Sequence, residues 1–328
     1  MVPTNFLMVI LSLASDCTRI IHRPSSGFGY SYRPVYNSPG DFLRMHLRVM
    51  TEQDIPVGLR LNTLSGWNQT AVDWHRFLDN SPGGCFVMEH DSKVVGTATT
   101  ISYENRFAWI GMVLVDPEYR TRGIGTQLLR KTVEYLDQRC IPTMKLDATP
   151  LGKPLYQKLG FVPEFEIERL VLKRTSEAAS ATLGSICTQV GKVEMEQVVR
   201  MDREVFGANR GFLLRSLFRE APELALTVQE DGAPRSYAFG RRGAFADHLG
   251  PWTATSRGSA EVLLQGFLAR SSRETVIVDC VKSNVVACEL LNACGFATSR
   301  PLTRMTRGPN TFPARPDLMC AILGPEFG

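Results

Sequence analysis

The feature that most restricts how this chain can fold is an internal repeat. Two segments, PLYQKLGFV and CELLNACGFA, place Phe161 and Phe296 at matching positions 135 residues apart. The same offset puts Leu128-Leu129 on Leu263-Leu264, each pair early in an apolar pattern of helical period. In both places a β-like run follows, and then a second helical segment that ends in Gly-Phe. Because 328 residues suffice for two domains, two copies of one fold explain the repeat most simply.

The first copy has the pattern of a mixed α/β unit. Thr51 and Asp54 have the spacing of a helix capping box, and Thr70 is a second helix cap. The run at 106–115 is apolar on both faces, which predicts a central strand. Other strands are predicted at 44–50, 85–90, 93–103, 143–147 and near 162–173, with helices after Thr51 and Thr70, up to about 139, and at 151–159. In the second copy we predict helices at 193–206, 210–219 and 259–270, and strands from 223 to 254 and at 318–323.

The repeat and the local composition divide the chain into segments. Residues 44–175 hold the first copy and 187–328 the second, and the small polar residues of 174–186 are predicted to link them. Residues 1–43 contain an apolar run, 6–13, that is too short to span a bilayer and that follows no Lys or Arg, which argues against a secretory signal. We expect residues 1–43 to form a poorly ordered extension. Their Ser and Arg content is also compatible with a mitochondrial presequence.

Composition argues against several classes of protein. The net charge of +4 comes without a basic tract, so no nucleic-acid surface is indicated, and no run is long enough for a membrane span. The eight Cys are scattered without a C-x-x-C pair, which is typical of reduced thiols in a reducing compartment. The five His lack metal-ligand spacing. We therefore expect a cytoplasmic protein that holds no metal and binds neither nucleic acid nor membrane.

The loop Arg120-Thr121-Arg122-Gly123-Ile124-Gly125 is the strongest candidate for a ligand-binding element. It lies between the apolar run ending at Val115 and a segment of helical period. At such a turn backbone N–H groups converge, the helix dipole is positive and Gly permits close approach, all of which favours an anion such as phosphate. The dinucleotide fingerprint needs Gly at position 128, where Leu128 stands, and the Gly-Lys-Ser/Thr of a Walker loop is absent. Both of those phosphate loops are excluded.

Two spaced motifs together resemble the GNAT acyltransferase superfamily. A strand, an Arg-x-x-Gly-x-Gly loop, a helix, a strand and an LY-x-K-x-GF helix follow one another within residues 44–175. The second copy resembles the YitH-like GNAT domain through MDREVFGANR, HLGPW and RPLTRMTRG. The resemblance implies an α/β fold of two tandem domains, each with a central, mostly antiparallel sheet flanked by helices. It also implies acetyl-CoA or another acyl-CoA as co-substrate.

The resemblance also implies roles for particular residues. The pyrophosphate would rest on backbone N–H groups of the loop, and the pantetheine arm would pair with the preceding strand. The implied cofactor-binding residues are Met112, Val113, Leu114, Val115, Arg120, Arg122, Gly123, Ile124, Gly125 and Thr126. Tyr156 fills the position of the tyrosine that serves the departing thiolate, and N–H groups near Val113 would polarise the thioester carbonyl. A helix N-terminus suits a pyrophosphate, and a strand with unpaired backbone groups suits an amide-bearing arm.

The acceptor site is less well defined by the sequence. The candidate residues are Trp67, Asn68, Asp73, Trp74, Asp147 and Arg210. The two Trp between the first helices suit a small polar ligand, but they are equally compatible with helix-packing core. Arg210 can pair with an anionic substrate or lie exposed on a helix. No carboxylate lies between Trp109 and Val115. The proton acceptor therefore stays open between Asp73, His75, Asp147 and a water chain, and an amine that arrives already neutral is equally compatible.

The second copy departs from the motif in both of its parts. Its loop positions are Thr255-Ser256-Arg257-Gly258-Ser259-Ala260, and the tyrosine position is Leu291. We therefore predict one working site, in the first copy, with the second copy shaping the acceptor pocket. The leading hypothesis is an acyl-CoA-dependent N-acetyltransferase for a small amine or amino-acid-like acceptor, as a monomer or homodimer. A non-catalytic acyl-CoA sensor and an acetyltransferase for protein N-termini or lysines are the alternatives. Tyr156 favours an enzyme, and the crowding by a second copy favours a small acceptor.

Overall fold

The computed structural model describes residues 45–174 and 187–328. These residues form one thirteen-stranded sheet with helices on both faces. The predicted extension at 1–43 and all but Arg174 of the predicted linker lie outside them. Among the described residues, none of the helices combines the length and apolar character needed to cross a bilayer.

The first copy contributes six strands and four helices to the described part of the chain. The strands are β1 Met45–Val49, β2 Phe86–His90, β3 Lys93–Tyr103, β4 Phe107–Val115, β5 Met144–Ala148 and β6 Val162–Lys173. The helices are α1 Ile55–Leu64, α2 Ala71–Asn80, α3 Ile124–Gln138 and α4 Lys153–Lys158. The strands predicted near 162–173 are thus one continuous strand.

The second copy repeats this order and adds one strand, within the described residues. Its strands are β7 Thr188–Gln189, β8 Leu226–Glu230, β9 Ala233–Arg242, β10 Asp247–Thr253, β11 Thr275–Val281, β12 Ala297–Arg307 and β13 Met319–Ala321. Its helices are α5 Lys192–Phe206, α6 Gly211–Glu220, α7 Arg257–Arg270 and α8 Val285–Ala293. From β1 to β6 and from β7 to β12 the elements follow in the same sequence, so the internal repeat is confirmed.

Local signals in the sequence account for many element boundaries. The capping boxes at Thr51 and Thr70 both form, and each Thr N–H donates to an Asp carboxylate three residues on, at 2.8 Å. The turns between β2 and β3 and between β3 and β4 each have two left-handed residues at their centre, as a type I′ hairpin turn requires. Strand β4 lies between β3 and β5, so its prediction as a central strand is confirmed.

The two copies exchange their last strands. Strand β6 of the first copy pairs antiparallel with β11 of the second, and β12 of the second pairs antiparallel with β5 of the first. Between these positions β6 and β12 pair with each other, from Val162 with Thr306 to Val171 with Ala297. The sheet order is β1-β2-β3-β4-β5-β12-β6-β11-β13-β10-β9-β8-β7. Each half of the sheet therefore depends on a strand from the other copy.

The two faces of the sheet bury different helices. On one face α1, α2, α5 and α6 share a hydrophobic cluster that includes Trp74, Leu213 and Trp109. On the opposite face α3 and α4 pack on a cluster that includes Ile110 and Leu146. Trp109 and Ile110 are consecutive on β4 and therefore point to opposite faces. We call these the Trp109 face and the Ile110 face.

The strand exchange predicts that neither copy folds alone. A fragment of residues 45–174 lacks β11 and β12, the two neighbours of β6, and a fragment of residues 187–328 lacks β6 and β5. Unpaired strands of this length expose backbone and apolar groups and favour aggregation. We expect each fragment alone to be insoluble or unfolded by circular dichroism, and the two co-expressed fragments to purify as a 1:1 complex. Cooperative unfolding of either fragment by itself would contradict this.

Candidate active site

A cleft opens in the sheet where β4 and β5 diverge. The two parallel strands pair only at Ala108 with Met144 and at Trp109 with Lys145, although they continue to Val115 and Ala148. Beyond this point the backbone groups of β4 that face β5 have no strand partner among residues 45–174 and 187–328. The resulting cavity has a volume of about 650 Å³ and is lined by Met112 to Val115. A strand edge of this kind can pair with an extended, amide-bearing ligand.

A bulge in β4 shapes the wall of this cleft. Met112 has a φ of 51°, a left-handed conformation that a non-glycine residue rarely adopts. The register between β3 and β4 shifts here, from Thr99 opposite Gly111 to Thr97 opposite Leu114. The Thr97 hydroxyl donates to the Met112 carbonyl at 2.8 Å and holds the bulge. The bulge leaves one residue of β4 without a partner on β3, so it redirects backbone groups at the point where the cleft begins.

The glycine loop lies at one end of the cleft and begins α3. Gly123 is the N-cap residue, with a left-handed φ of 76° and no side chain to cap the helix. The first N–H groups of α3 are consequently available to a ligand. Arg120 and Gly125 line the cleft directly, whereas Arg122, Gly123, Ile124 and Thr126 belong to the same turn outside the lining. Asp116 orders the loop by accepting from Glu118 N–H and from Arg60.

Tyr156 lines the cleft from the Ile110 face. It lies on α4 and packs edge-on against Phe161 at a ring-centroid distance of 6.2 Å. Burial raises the pKa of Tyr156 to about 12, so its hydroxyl is protonated at neutral pH. A protonated phenol in this position is a hydrogen-bond donor to charge that develops in the cleft.

The cleft is completed by residues from the second copy. Strand β12 contributes Arg300 and Leu302, and the segment 323–328, which follows β13, contributes Pro325 and Glu326. This segment packs directly on β4: the indole N–H of Trp109 donates to the Pro325 carbonyl at 2.9 Å. The first copy supplies Trp67 and Gln69 from the connection between α1 and α2. The two copies therefore build one site together.

Most charged groups of the cleft are already paired. Asp147 accepts from Nε and Nη2 of Arg304 at 2.9 Å each, and burial raises the pKa of Asp147. Arg169 donates from Nε and Nη2 to the carboxylate of Asp279 at 2.7 Å each. Glu326 is paired with Arg241. These pairs are bidentate or doubly anchored, which fixes the orientation of the side chains that form the cleft wall.

In the second copy the equivalent opening is closed. Strands β10 and β11 also diverge after a short parallel pairing, but β13 inserts between them and pairs with both. The helix that corresponds to α3 is capped by its own residues, because Ser256 Oγ accepts from Ser259 N–H at 3.2 Å and Ser259 Oγ accepts from Ser256 N–H at 3.2 Å. Neither the strand edge nor the helix N-terminus is free there.

Four of the predicted acceptor residues lie outside the cleft lining and make structural contacts. Asn68 binds the segment before β10 through its amide, which donates to Ala246 O and accepts from Phe245 and Ala246 N–H. Trp74 has no exposed surface and belongs to the hydrophobic core. Arg210 is also buried and donates to both carboxylate oxygens of Asp202 at 2.9 Å.

The fourth of these residues, Asp73, links the two copies. It accepts from Arg76 on its own helix and from Arg241 on β9 at 2.6 Å each, and it is 1% exposed. Burial alone would raise the pKa of Asp73, but Arg241 and Arg76 hold it below its usual value. Of the predicted acceptor residues, the structure brings Trp67 and Asp147 into the cleft.

Several cleft residues were not identified from the sequence. Gln69, Arg169, Arg300, Pro325 and Glu326 come from four separate segments of the chain. Gln69 lies two residues after Trp67 in the string SGWNQT, and Arg300 begins the string RPLTRMTRG, so both lie in strings that the sequence analysis covers without being chosen as site residues. Arg300 and Glu326 reach the first copy through the strand exchange and the segment after β13, which no local pattern reveals.

Comparison with family models finds two matches along the chain. The acetyltransferase (GNAT) family model matches residues 59–161, and a GNAT acetyltransferase domain model matches residues 198–319. The chain is 23% identical over 244 residues to holothin acyltransferase of Pseudoalteromonas sp. (strain SANK 73390), covering 74% of this chain and 81% of that protein. It is 24% identical to the uncharacterized N-acetyltransferase YitH of Bacillus subtilis (strain 168), covering 65% and 74%.

Solved structures share this fold. A candidate acetyltransferase from Pyrococcus horikoshii superposes with a TM-score of 0.75 at 23% identity, covering 94% of this chain and all of that one. A GCN5-related N-acetyltransferase from Sphaerobacter thermophilus gives a TM-score of 0.61 at 18% identity, covering 83% and 97%. The tandem mixed sheet flanked by helices, expected from the sequence motifs, is thereby confirmed.

The contacts of Asp73 predict that replacing it lowers the stability of the protein and leaves the KM for the acceptor unchanged. In Asp73→Asn the guanidinium groups of Arg241 and Arg76 lose a buried counter-charge, so we expect the free energy of unfolding to fall by about 3–5 kcal/mol at pH 7. Urea unfolding measures this. Asp79→Asn, an exposed change on the same helix, is the matched control and should stay within about 0.5 kcal/mol. A raised acceptor KM at unchanged stability would contradict the structural role.

The lowered pKa of Asp73 also fixes the direction of a pH effect. Its stabilising contribution is complete above the unfolded-state pKa of about 3.9 and is lost as pH falls toward the lower folded-state pKa. We expect the wild type to lose part of its unfolding free energy below about pH 5, and Asp73→Asn to lose less over the same range. Equal acid sensitivity of the two proteins would contradict the assignment.

Proposed function

Because this chain belongs to the GNAT acetyltransferase family, we propose that its first copy transfers an acyl group from acyl-CoA to a small amine in the cleft between β4 and β5. The observation that carries the proposal is the opening between these strands, with the uncapped N-terminus of α3 at one end and Tyr156 on its wall. The same features are absent from the second copy within the described residues, where β13 and Ser256 occupy the equivalent positions.

The residues present fit the acyl-CoA that the family implies. The turn from Arg122 to Thr126 offers backbone N–H groups and a positive helix end to the pyrophosphate. The free edge of β4 offers N–H and C=O groups to the two amides of the pantetheine arm. Gly125 lies beside the cleft, and a side chain there would stand between the ligand and the backbone. Both parts of the ligand therefore have complementary surfaces in one continuous cavity.

The chemistry follows from the groups on the cleft wall. Acyl-CoA supplies a thioester, whose carbonyl carbon is attacked by the amine nitrogen as the C–S bond breaks. Backbone N–H groups at the bulge near Val113 stabilise the developing oxyanion. The hydroxyl of Tyr156 donates a hydrogen bond to the departing sulfur. Because its pKa is raised to about 12, Tyr156 stays protonated and acts through this hydrogen bond.

Proton removal from the amine is assigned to water. The two carboxylates among the described residues that line the cleft are Asp147 and Glu326. Asp147 is held by Arg304 and Glu326 by Arg241, so neither has the free lone pairs of an unengaged base. Water in the open part of the cavity can carry the proton to solvent. We infer that the acceptor reacts from the small fraction present as neutral amine, so the rate rises with pH below the amine pKa.

A small acceptor fits the cleft better than a protein chain. The carbonyl of Glu326 approaches Gly111 so closely that a Cβ there would lie 2.7 Å from it. Strand β12 lies beside β5 and contributes Arg300 and Leu302 to the cleft wall. The second copy thus narrows the acceptor side of the site.

The test of the function is a panel of small amines with acetyl-CoA, reading the released thiol. We expect at least one amine to be acetylated with a saturable rate, and mass spectrometry to show the added acetyl group on it. Tight acetyl-CoA binding without release of thiol for any amine would overturn the enzyme and favour an acyl-CoA sensor. Acetylation of peptides alone would overturn the small acceptor.

The cofactor loop predicts a loss of CoA binding in Gly125→Val. In the free protein a Cβ at this position meets Val115 at an ordinary 3.6 Å, so the fold should tolerate the change. In the complex the side chain separates pyrophosphate from backbone, and losing one charge-assisted hydrogen bond weakens affinity about 10- to 100-fold. Gly258→Val, at the corresponding loop of the second copy, is the control and should bind normally. Calorimetry giving two equivalent CoA sites, or undiminished binding in Gly125→Val, would contradict the assignment.

The position of Tyr156 predicts a selective loss of turnover in Tyr156→Phe. A thiolate with a pKa near about 8.5 needs modest assistance, so removing the hydroxyl should lower kcat by about 10²-fold. The ring and its packing on Phe161 remain, so CoA affinity and stability should be unchanged. The control is Leu291→Ala, at the corresponding fully buried position of the second copy, which should cost about 2–5 kcal/mol of stability. Wild-type turnover by Tyr156→Phe under conditions where chemistry limits would make Tyr156 a core residue.

A further inference from the structure

Two polar side chains that line the cleft have a buried polar atom without a hydrogen-bond partner among the described residues. Gln69 is 4% exposed, and its Oε1 makes no hydrogen bond within the described part of the chain. Arg300 is half-buried, and its Nε is buried without a partner among the described residues. Neither forms an ion pair there. Asp147, Arg169 and Glu326, by contrast, each have an oppositely charged partner.

The missing hydrogen bonds of Gln69 and Arg300 destabilise the free protein. Most buried polar groups in native proteins are hydrogen-bonded, because a desolvated group without a partner is unfavourable. Arg300 is desolvated beside a second guanidinium, that of Arg169, and these effects lower its pKa to about 10. It stays positively charged at neutral pH. A donor and an acceptor left unsatisfied in one cavity indicate a ligand that supplies the missing groups.

Arg300 lies on the acceptor side of the cleft. Arg300, Leu302 and Arg304 alternate along a regular part of β12 and therefore share a face. The guanidinium of Arg304 stacks 4.4 Å from the Trp109 ring, which places all three on the Trp109 face. Gln69 follows α1, which packs on that face as well. The pyrophosphate turn begins α3, which packs on the Ile110 face, so Arg300 and this helix lie on opposite faces of the sheet.

The charge of the cleft selects the kind of anion. Asp147, Arg169 and Glu326 are neutralised by their partners, so Arg300 is left as a single uncompensated positive charge on this side. A planar guanidinium matches a carboxylate by two parallel hydrogen bonds. A phosphate dianion carries a second negative charge that one guanidinium does not neutralise.

We propose that Arg300 binds a carboxylate of the acceptor and that Gln69 Oε1 accepts a hydrogen bond from its amine, so the acceptors are amino carboxylic acids. This inference rests on the proposed function and names the substrate class of the same site. Arg300 determines specificity and takes no part in bond making. The acid anchors the acceptor at β12, and the amine approaches the thioester from the Trp109 face.

The test compares amino acids with the amino alcohols of equal length, whose amine pKa values are similar. The pairs are β-alanine with 3-amino-1-propanol, 4-aminobutyrate with 4-amino-1-butanol and L-alanine with L-alaninol. We expect wild-type kcat/KM to favour the acid of at least one pair by 10-fold or more. Arg300→Met should lower kcat/KM for that acid about 10- to 100-fold, the range for a hydrogen bond to a charged group, and leave the alcohol unchanged. Arg300→Lys should restore part of the loss.

Two further readouts separate recognition from a structural role. Arg300→Met removes an uncompensated charge, so its urea midpoint should equal or exceed that of the wild type. Its CoA affinity should be unchanged. Arg307→Met, at the far end of the same strand and paired with Asp137 outside the cleft, is the matched control and should keep wild-type preference. Gln69→Leu should raise KM for acids and alcohols alike, because both carry the amine.

The outcomes distinguish the inference from the function beneath it. Acetylation of the acids and alcohols at equal kcat/KM overturns the carboxylate site and leaves the acetyltransferase intact. The carboxylate site is also overturned if Arg300→Met keeps the wild-type preference for acids. It is overturned as well if Arg300→Met loses CoA affinity, because Arg300 would then bind CoA. Failure of the wild type to acetylate any amine overturns the proposed function and the inference with it.

Discussion

The antiparallel pairing of β6 with β12 is the interaction on which the rest of this structure depends. It joins two copies of one fold into a continuous sheet, and it puts each last strand beside the other copy's β5 or β11. This exchange determines which residues line the cleft. Arg300, Leu302 and Arg304 belong to the second copy by sequence and to the first copy's site by position. A second copy that contributed no catalysis would still be required to build the acceptor wall.

The two similar copies differ in whether the opening between their central strands is closed. Both diverge between their parallel central strands, which in each case exposes a strand edge. In the second copy β13 satisfies that edge, and the chain then continues across the sheet to pack Pro325 and Glu326 on β4. One segment therefore closes one cleft and lines the other. Ser256 also caps the N-terminus of α7 in the second copy, whereas Gly123 leaves the N-terminus of α3 in the first copy uncapped.

Much of the fold was predictable because its signals are local. The capping boxes at Thr51 and Thr70, the hairpin turns, the central strand and the glycine turn each depend on a few adjacent residues. The strand exchange was not predictable in this way, since the alternation of β12 is the same whichever strand lies beside it. For the same reason the string RPLTRMTRG, which begins at Arg300, does not indicate that this residue enters the first copy's cleft. Asp73 is a candidate general base and Arg210 a candidate partner of an anionic substrate by sequence, yet each is neutralised inside the protein, Asp73 by Arg241 of the other copy and Arg210 by Asp202 on the preceding helix.

The charged residues of this cleft and its surroundings form two groups. Those that are paired stabilise the fold, and the unpaired Arg300 is available to bind a ligand. Asp73 with Arg241, Arg169 with Asp279 and Asp147 with Arg304 are each closed pairs, and all three connect the copies. Breaking such a pair leaves a buried charge without compensation, which destabilises the fold. Arg300 is already in that condition. Such a group gains a counter-charge only when a ligand binds. The favourable free energy of that ion pair therefore contributes to ligand affinity. We infer that the cleft derives its specificity from Arg300 and Gln69, whose polar interactions folding leaves incomplete among the described residues.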